Sequence, residues 1–290
     1  MKKYLALLLT LAVGMGALAG CGSSSETTTD ETQNTETNTE DTANTDNTER
    51  TTFTVGFDAE YPPYGYKNEA GEYVGFDLDL AQEVCDRNGW ELVKQPIDWS
   101  SKDMELNSGT VDCLWNGFTM TGRESEYTFS EPYVDNSIVF VVRQDSDIQT
   151  KEDLAGKVVI TQAGSSALTA LTNTENNDEN LALAATFASL EQTPDYNTAF
   201  MSLETGAVEA VAVDIGVAQY QLTNHSDKFR QLEEPLSTEQ YAIAFKLGNE
   251  ALRDQVQATL DEMVADGTFD AIAANYSDYN LDQMVCLGKA

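Results

Sequence analysis

Two aspartates stand directly after predicted β-strands, a position from which side chains can reach a ligand. Asp58 follows the apolar run 53–57, and Asp214 follows the apolar run 211–213. In an α/β sheet, ligands bind at the edge formed by the carboxyl ends of the strands. A carboxylate at that edge can bind an ammonium group or act as a general acid, a role also open to Glu60. The alternative for Asp214 is the N-cap of the helix that follows it.

The cysteines and the single histidine are not arranged for metal or nucleophilic chemistry. His225 lies in a polar segment, which predicts a solvated surface residue. Cys85 and Cys113 lie in apolar runs and are interpreted as small buried hydrophobic residues. Together with Cys286 they allow at most one disulfide in the body of the chain. The sequence therefore predicts no metal site, no cofactor and no Ser-His hydrolase.

From residue 52 onward the pattern of apolar and turn residues predicts alternating strands and helices. One helix is expected to open at Gly75-Phe76-Asp77, with Asp77 as its N-cap, and to stop at Asn88-Gly89. A long final helix is expected over 250–265, where apolar residues recur at helical spacing. The predicted strands are 53–57, 91–94, 111–115, 138–142, 157–161, 184–187, 209–213 and the extended segment 240–245. This alternation favours an α/β fold with largely parallel sheets, and the segments 138–142 and 240–245 suggest two strands that link two lobes.

The beginning of the chain predicts an exported protein that is anchored by lipid. Residues 1–20 have a basic start and an apolar run too short to span a membrane, which is typical of a signal peptide. Ala19-Gly20-Cys21 resembles the bacterial lipobox, which implies that Cys21 carries acyl chains such as palmitate. The alternative is an ordinary cleaved signal followed by a chance cysteine. Residues 22–50 consist almost wholly of Thr, Asn, Glu, Asp and Ser, so 21–51 is expected to be a disordered acidic tether.

The charge of the chain excludes some classes of partner. It carries 49 acidic and 16 basic residues, a formal net charge of −33. Such a balance argues against binding to nucleic acid and against adsorption to anionic lipid headgroups. The body of roughly 240 residues is long enough for two domains or one large domain.

Several motifs follow one another in a fixed order along the body. The most specific is the segment 75–85 at the predicted first helix, beginning Gly75-Phe76-Asp77-Leu78-Asp79. The supporting segments are 58–63, 106–112, 118–121, 129–133, 162–165 and 265–268. In this order and spacing they resemble the bacterial extracellular solute-binding proteins of family 3, which serve polar amino-acid ABC transporters.

The resemblance implies a two-lobed α/β fold of the periplasmic-binding-protein type (type II), with two hinge strands between lobes that close on a ligand. It places lobe 1 at 52–142 plus 240–290 and lobe 2 at 143–239. The implied function is extracytoplasmic capture of an amino acid, polar or cationic, or cystine, for delivery to an ABC importer. The implied partners are the free amino acid and a membrane permease. The protein is expected to be a monomer anchored at the outer face of a bacterial cell membrane.

The resemblance also implies which residue holds the ligand carboxylate. A guanidinium suits this role because it offers two parallel N–H bonds. The family pattern is Thr-x-Thr-Pro-Glu-Arg, whereas here Arg123 follows Thr121 one position early and Gly122 replaces the proline. Glycine permits turns that other residues resist, so Gly122 is expected to let the turn re-aim Arg123 toward the ligand.

Further contacts are implied at matching positions. Ser165 and Ser166 match a carboxylate contact at a helix start, where a serine is otherwise simply an N-cap. Asp214 matches the acid that takes the ligand ammonium, and Asp58 a further ammonium or side-chain contact. Tyr241 is expected to pack in the hinge. The remaining implied contacts are the wall aromatics Tyr61, Trp99 and Phe118, and the hydrogen-bonding residues Asn116, Gly117 and Thr119.

Two other classes of function stay open at this point. An enzyme on the same fold, such as a dehydratase, would need a general acid over its substrate, and Asp58, Glu60 and Asp214 are the candidates. A surface adhesin or receptor would need an exposed apolar patch, and no extended run in the body suggests one. We therefore expect a binding protein without catalytic residues.

Overall fold

The computed structural model describes residues 50–173 and 178–289. The predicted signal peptide 1–20, the lipidation site Cys21 and nearly all of the tether 21–51 lie outside these residues. The described residues form strands and helices in alternation, so the predicted α/β class is confirmed. Within them, no helix has both the length and the apolar character needed to cross a membrane.

The elements follow closely the order that the sequence predicts. The strands are β1 Thr52–Phe57, β2 Glu60–Tyr61, β3 Gly65–Lys67, β4 Tyr73–Val74, β5 Glu91–Pro96, β6 Cys113–Leu114, β7 Thr128–Phe129, β8 Val134–Arg143, β9 Val158–Gln162, β10 Ser189–Thr193, β11 Ala210–Asp214, β12 Phe229–Gln231, β13 Ser237–Tyr241 and β14 Ala244–Phe245. The helices are α1 Phe76–Asn88, α2 Lys102–Ser108, α3 Ser166–Thr172, α4 Asp178–Ala184, α5 Tyr196–Thr205, α6 Ile215–Asn224, α7 Glu250–Asp266, α8 Thr268–Ala274 and α9 Leu281–Met284.

The strands form two main sheets and a small third one. The first sheet has the order β5-β1-β6-β14-β7, and the second has the order β10-β9-β11-β8-β12, with β13 also paired to β8. The third sheet is β2-β3-β4. In each main sheet a central strand, β1 or β9, is parallel to both neighbours, whereas β8 and β14 pair only antiparallel. The carboxyl ends of β1, β9 and β11 are therefore the places where loops can form a site.

Two paired strands carry the chain between the main sheets. The chain leaves the first sheet after β7 and enters the second through β8, and it returns through β13 to β14. Val134 pairs with Tyr241 across these strands, and the Tyr133 N–H donates to the Tyr241 carbonyl at 2.9 Å. The two predicted linking strands are present, although the segment 240–245 is divided between both sheets. The lobe bounds 52–142 plus 240–290 and 143–239 stay a prediction, and β8 is hydrogen-bonded within the second sheet.

One large apolar core is shared by both main sheets, and a second core packs on the other face of the second sheet. Alternate residues of β1, such as Phe53 and Val55, are fully buried in a core that includes Val84 of α1 and Leu260 of α7. Residues of β8 on one face of the second sheet, such as Phe140, belong to a separate core. Burial of a large apolar side chain contributes roughly 1.5–3 kcal/mol. The first core also contains Val139 and Val141 of β8 and Val213 of β11, so it holds the two main sheets together.

The cysteines match their predicted role as buried residues. Cys85 and Cys113 are buried, Cys286 is half-buried, and all three are free thiols. Burial raises the pKa of the Cys85 thiol to about 12, so this side chain stays protonated. Among the residues that the structure describes, no group of three or more His, Cys, Asp or Glu side chains could hold a metal ion.

Two local predictions are wrong. The segment 184–187 is not a strand, because it contains the end of α4 and the turn after it, and the strand of this region is β10. β10 is a polar edge strand that pairs only with β9, so it lacks the apolar run that usually marks a strand. Asp77 is not the N-cap of α1. Gly75 occupies the cap position, and the Asp77 side chain is fully buried.

Gly75 connects β4 to α1, and it packs against the loop that follows β2. Its φ angle is 139°, and a Cβ at this position would lie 2.3 Å from the carbonyl oxygen of Tyr64. The N–H groups of Phe76 and Asp77 donate to the carbonyls of Pro63 and Tyr64 at 2.9 and 3.0 Å. The beginning of α1 is therefore in close contact with the backbone of residues 63–65, which its hydrogen bonds hold in place.

We predict that Gly75→Ala lowers the free energy of unfolding by on the order of 3 kcal/mol, because it adds a backbone clash to an unfavourable φ. Gly89 is the matched control, since it ends α1 at φ 70° with nothing near its missing Cβ. Gly89→Ala is expected to cost about 1 kcal/mol. Urea unfolding measures both, and equal losses for the two variants would contradict the predicted clash.

Candidate functional site

A narrow cavity lies between the two main sheets, at the carboxyl ends of β9 and β11. Both sheets and their loops supply its walls. The lining residues are Tyr61, Trp99, Gly117, Thr119, Arg123, Gln162, Ser165, Ser166 and Asp214. All of them except Gln162 are among the contacts that the family resemblance implies. The fold thus brings together residues that are up to 153 positions apart in the sequence, from Tyr61 to Asp214.

Asp214 is the buried acid of this cavity, with 2% of its surface exposed. Its Oδ1 accepts hydrogen bonds from the Tyr241 hydroxyl at 2.6 Å and from the Asn136 amide at 2.8 Å. The Ser166 hydroxyl lies 3.4 Å from the same oxygen. Asp214 stands at the N-cap position of α6 but makes no side-chain cap bond. Within the described residues no lysine or arginine pairs with it, so it is an acid placed to attract a cation.

Tyr241 has a larger part than hinge packing. Its ring is fully buried between the sheets, and its hydroxyl reaches both Asp214 and the Tyr61 hydroxyl, the latter at 3.1 Å. The Tyr241 hydroxyl supplies one of the hydrogen bonds that a buried carboxylate needs. Tyr241 therefore supports Asp214 from behind the cavity wall.

Glu239 is a second acid at the same corner, and the sequence reasoning missed it. Its Oε1 accepts from the Thr119 hydroxyl at 2.5 Å and from the Asn136 amide at 2.8 Å. Burial, and then the nearby Asp214, raise the pKa of Glu239 to about 7. The signal was available, because Glu239 and Tyr241 are two positions apart on β13 and so share a face. Two carboxylates that share one amide donor make this corner strongly electronegative.

Asp58 and Asn116 lie behind the wall rather than in it. The two oxygens of Asp58 accept from the Glu60 N–H at 2.8 Å and from the Gln162 side-chain amide at 2.6 Å. The Asn116 side chain accepts from the Asp58 N–H at 2.9 Å. Burial raises the pKa of Asp58 to about 6. Asp58 therefore positions Gln162, which is the residue that lines the cavity and which comes from the opposite sheet.

Arg123 lies over an aromatic ring at the other wall. Its guanidinium carbon is 5.0 Å from the centre of the Phe118 ring, which meets the Trp99 ring edge-to-face at 5.6 Å. Phe118 is fully buried and supports these two residues without lining the cavity. Gly122 has the positive φ of 81° that its expected turn requires, and the Arg123 N–H donates to the Met120 carbonyl at 2.9 Å. Among the described residues no acid pairs with the guanidinium.

The two serines at the start of α3 differ in their freedom to bind. Ser165 is the N-cap, with its hydroxyl accepting from the Leu168 N–H at 3.0 Å and donating to the Gln162 carbonyl at 2.8 Å. Ser166 is the first helical residue, and its hydroxyl points toward Asp214. The Ser165 hydroxyl is therefore engaged in holding the helix start, and Ser166 offers the more available side chain.

Asp77 positions the cavity from inside the first core. Its Oδ2 accepts from the Gly117 N–H at 2.6 Å and from the Tyr133 hydroxyl at 2.9 Å. Gly117 lines the cavity at φ 55°, and a Cβ there would lie 2.8 Å from the Tyr241 ring. Burial raises the pKa of Asp77 to about 7. A carboxylate without a cation thus fixes the backbone of one wall residue.

We predict that Asp77→Asn flattens the dependence of stability on pH. The folded-state pKa of about 7 lies above the ordinary value near 4, so stability is fully present at low pH and is lost as the pH rises toward 7. Asparagine keeps an acceptor for both donors but does not ionise. The fall in the free energy of unfolding between pH 5 and pH 8 should shrink by about 2–3 kcal/mol. Urea unfolding at the two values measures it, and an unchanged fall would contradict the role given to Asp77.

Known proteins share this sequence pattern and geometry. The family model of the bacterial extracellular solute-binding proteins, family 3, matches residues 53–279. The L-cystine-binding protein TcyJ of Escherichia coli strain K12 is 28% identical over 231 residues, 79% of this chain and 83% of TcyJ. The ABC transporter glutamine-binding protein GlnH of Bacillus subtilis strain 168 is 29% identical over 281 residues, 94% of this chain and 96% of GlnH. The structure of an ABC uptake transporter substrate-binding protein from Streptococcus pneumoniae with bound histidine has a TM-score of 0.73 and 31% identity, covering 78% of this chain and 92% of that one. These relatives are two-lobed binding proteins rather than enzymes.

Proposed function

This chain belongs to family 3 of the bacterial extracellular solute-binding proteins, and we propose that it captures a free amino acid between its two sheets and delivers it to an ABC importer. One observation carries the proposal. A single cavity holds the buried carboxylate of Asp214 and the guanidinium of Arg123, and neither has a partner of opposite charge among the described residues. An α-amino acid carries the complementary pair of charges.

The proposed contacts divide between the two ends of the ligand. Arg123 takes the carboxylate through two parallel N–H bonds, with the Ser166 hydroxyl as a further donor. Asp214 accepts from the ammonium, and Glu239 adds negative potential at the same corner. Tyr61 and Trp99 cover the stem of the ligand, as aromatic faces do in many binding sites.

The proposed ligand is a polar or cationic amino acid, or cystine. A groove of about 290 Å³ adjoins the cavity and shares Thr119, Arg123 and Ser166 with it, which gives room for a longer side chain. The relatives named above support this range, since they are described as binding cystine, glutamine or histidine. In this proposal the protein is a monomer and delivers its ligand to a membrane permease.

Binding is favoured over the two alternatives. Catalysis by Asp58 would need a free carboxylate oxygen over a substrate, and both of its oxygens are already hydrogen-bonded. Adhesion would need a continuous apolar patch. The large hydrophobic side chains exposed among the described residues, Met104, Met201 and Leu247, lie on different elements.

A thermal-shift screen of the purified full chain tests the proposal. The protein would first be unfolded and refolded to remove any bound solute, and then scanned against the twenty amino acids and cystine. A ligand at a hundred times its Kd adds about 2.7 kcal/mol of stability, which shifts the Tm by several degrees. One or two clear stabilisers are expected, and no shift with any of these compounds would contradict the proposed function.

For the ligand found in this way, Asp214→Asn should weaken binding by about 2–5 kcal/mol, because the ammonium loses its charged partner in a desolvated site. Calorimetric titration measures the loss. Asp135→Asn is the matched control, because Asp135 is an exposed acid on β8 that bonds to Gln240 outside the cavity. Wild-type affinity in Asp214→Asn would show that the ammonium site is elsewhere.

We further propose that lipid on Cys21 holds the protein at the outer face of the cell membrane. The supporting feature is the lipobox-like run that ends in Cys21. Cys21→Ser removes the thiol that would carry the lipid, so labelled palmitate should no longer be incorporated. The protein should also move from the membrane fraction to the medium. Retention of label and of membrane association by the variant would contradict the anchor.

A further inference from the structure

Lys102, the first residue of α2, is a buried lysine beside the cavity. Its side chain is only 7% exposed. The Nζ atom lies 5.5 Å from the centre of the Trp99 ring and donates to the carbonyl oxygen of Gly164 at 3.3 Å. Among the described residues no carboxylate forms an ion pair with it. Burial lowers the pKa of Lys102, as expected for an ammonium removed from water.

Lys102 and Arg123 each lie over an aromatic ring, and the two rings, those of Trp99 and Phe118, pack against each other. Lys102 lies over Trp99, and Arg123 lies over Phe118. The two rings are 5.6 Å apart. Trp99 and Arg123 line the cavity, and Gly164 directly precedes the lining residue Ser165. Two cations therefore flank one wall of the cavity, and neither has a charged partner within the part of the chain described.

Asp103 and Glu126 act on Lys102 from a distance, but among the described residues neither forms an ion pair with it. Both acids are exposed, and the Tyr127 hydroxyl donates to Asp103. A buried charge without a partner is unfavourable unless hydrogen bonds or an opposite charge compensate it. In a chain with 49 acids and 16 bases, an acidic partner would be easy to supply. The missing negative charge is therefore best supplied by the ligand.

We propose that Lys102 binds a second carboxylate on the ligand, so that the solute is an α-amino acid whose side chain ends in a carboxylate. This inference rests on the proposed function and narrows it. The second carboxylate can belong to an acidic amino acid or to the second amino-acid head group of cystine. Arg123 would hold the α-carboxylate, and the Lys102 ammonium would exchange the Gly164 carbonyl for the second one.

The geometry favours this exchange. A bond of 3.3 Å to a neutral carbonyl is longer than the usual range for N–H donors, whereas a bond to a carboxylate is shorter and about twice as strong. The lysine stem is flexible and can move its ammonium without disturbing α2. A cationic side chain at this wall would instead face both Lys102 and Arg123, so lysine and arginine are expected to bind poorly.

Matched ligands and matched variants test the proposal in the full chain. Two pairs differ only in the second carboxyl group, glutamate against glutamine and cystine against the mixed disulfide of cysteine with cysteamine. In at least one pair, the wild-type protein should bind the member with two carboxylates about 10- to 100-fold more tightly. Lys102→Met keeps the apolar stem and should abolish this preference, while the affinity for the member with one carboxylate changes less than about threefold. Lys102→Arg keeps the charge and should retain the preference.

Lys67→Met is the control for the loss of one positive charge, because Lys67 lies 5.9 Å from the Tyr73 ring on the exposed third sheet. It should leave every affinity unchanged. Equal or tighter binding of the member with one carboxylate in both pairs would overturn the inference. An equal loss for all ligands in Lys102→Met would also overturn it, because Lys102 would then only fasten the two sheets together through Gly164. Failure of every amino acid to bind any variant would instead overturn the proposed function itself.

Discussion

The carboxylate of Asp214 ties the two linking strands to the cavity. Its two close hydrogen-bond donors are Asn136 on β8 and Tyr241 at the end of β13. A buried carboxylate is costly to leave without such donors, so both strands must keep the register that presents them. That register is the pairing of Val134 with Tyr241. The hydrogen bonds of Asp214 therefore depend on the pairing of the two strands that link the sheets.

The charges of the cavity are separated rather than paired. Asp214 and Glu239 share the amide of Asn136 at one corner, while Arg123 and Lys102 lie over aromatic rings at another wall. Charges interact more strongly in a cleft shielded from water than at the surface. Such a cleft orients a zwitterion, because reversal of the ligand would place like charges together. Burial first, and then the adjacent carboxylate of Asp214, raise the pKa of Glu239.

Sequence reasoning predicted the parts of the fold and cavity that depend on local pattern. The rule about strand ends found Asp58 and Asp214, and the glycine before Arg123 adopts the turn that its position requires. The polar strand β10 was missed because its strand identity comes from pairing with β9 rather than from its own residues. Lys102 could not be placed by local pattern, because its partner Gly164 is 62 positions away. Glu239 was missed although it shares a face of β13 with Tyr241, and its partner Asn136 is 103 positions away. Asp77 was misassigned for the same reason, since Gly117 and Tyr133 draw its side chain into the core.

The contacts that cross between the sheets at the cavity are individually modest. Gln162 donates to Asp58, Lys102 donates to the Gly164 carbonyl, and the ring of Tyr61 lies 5.9 Å from that of Tyr196. A typical hydrogen bond of this kind contributes about 1 kcal/mol net, because water replaces it when the partners separate. A ligand can shift such an equilibrium only through contacts that differ between the open and closed arrangements. Since Trp99 and Arg123 belong to one side of the cavity and Ser166 and Asp214 to the other, the proposed ligand would reach its full set of partners only when the sheets approach. Direct contacts this weak at the cavity would leave closure to be driven by the proposed ligand.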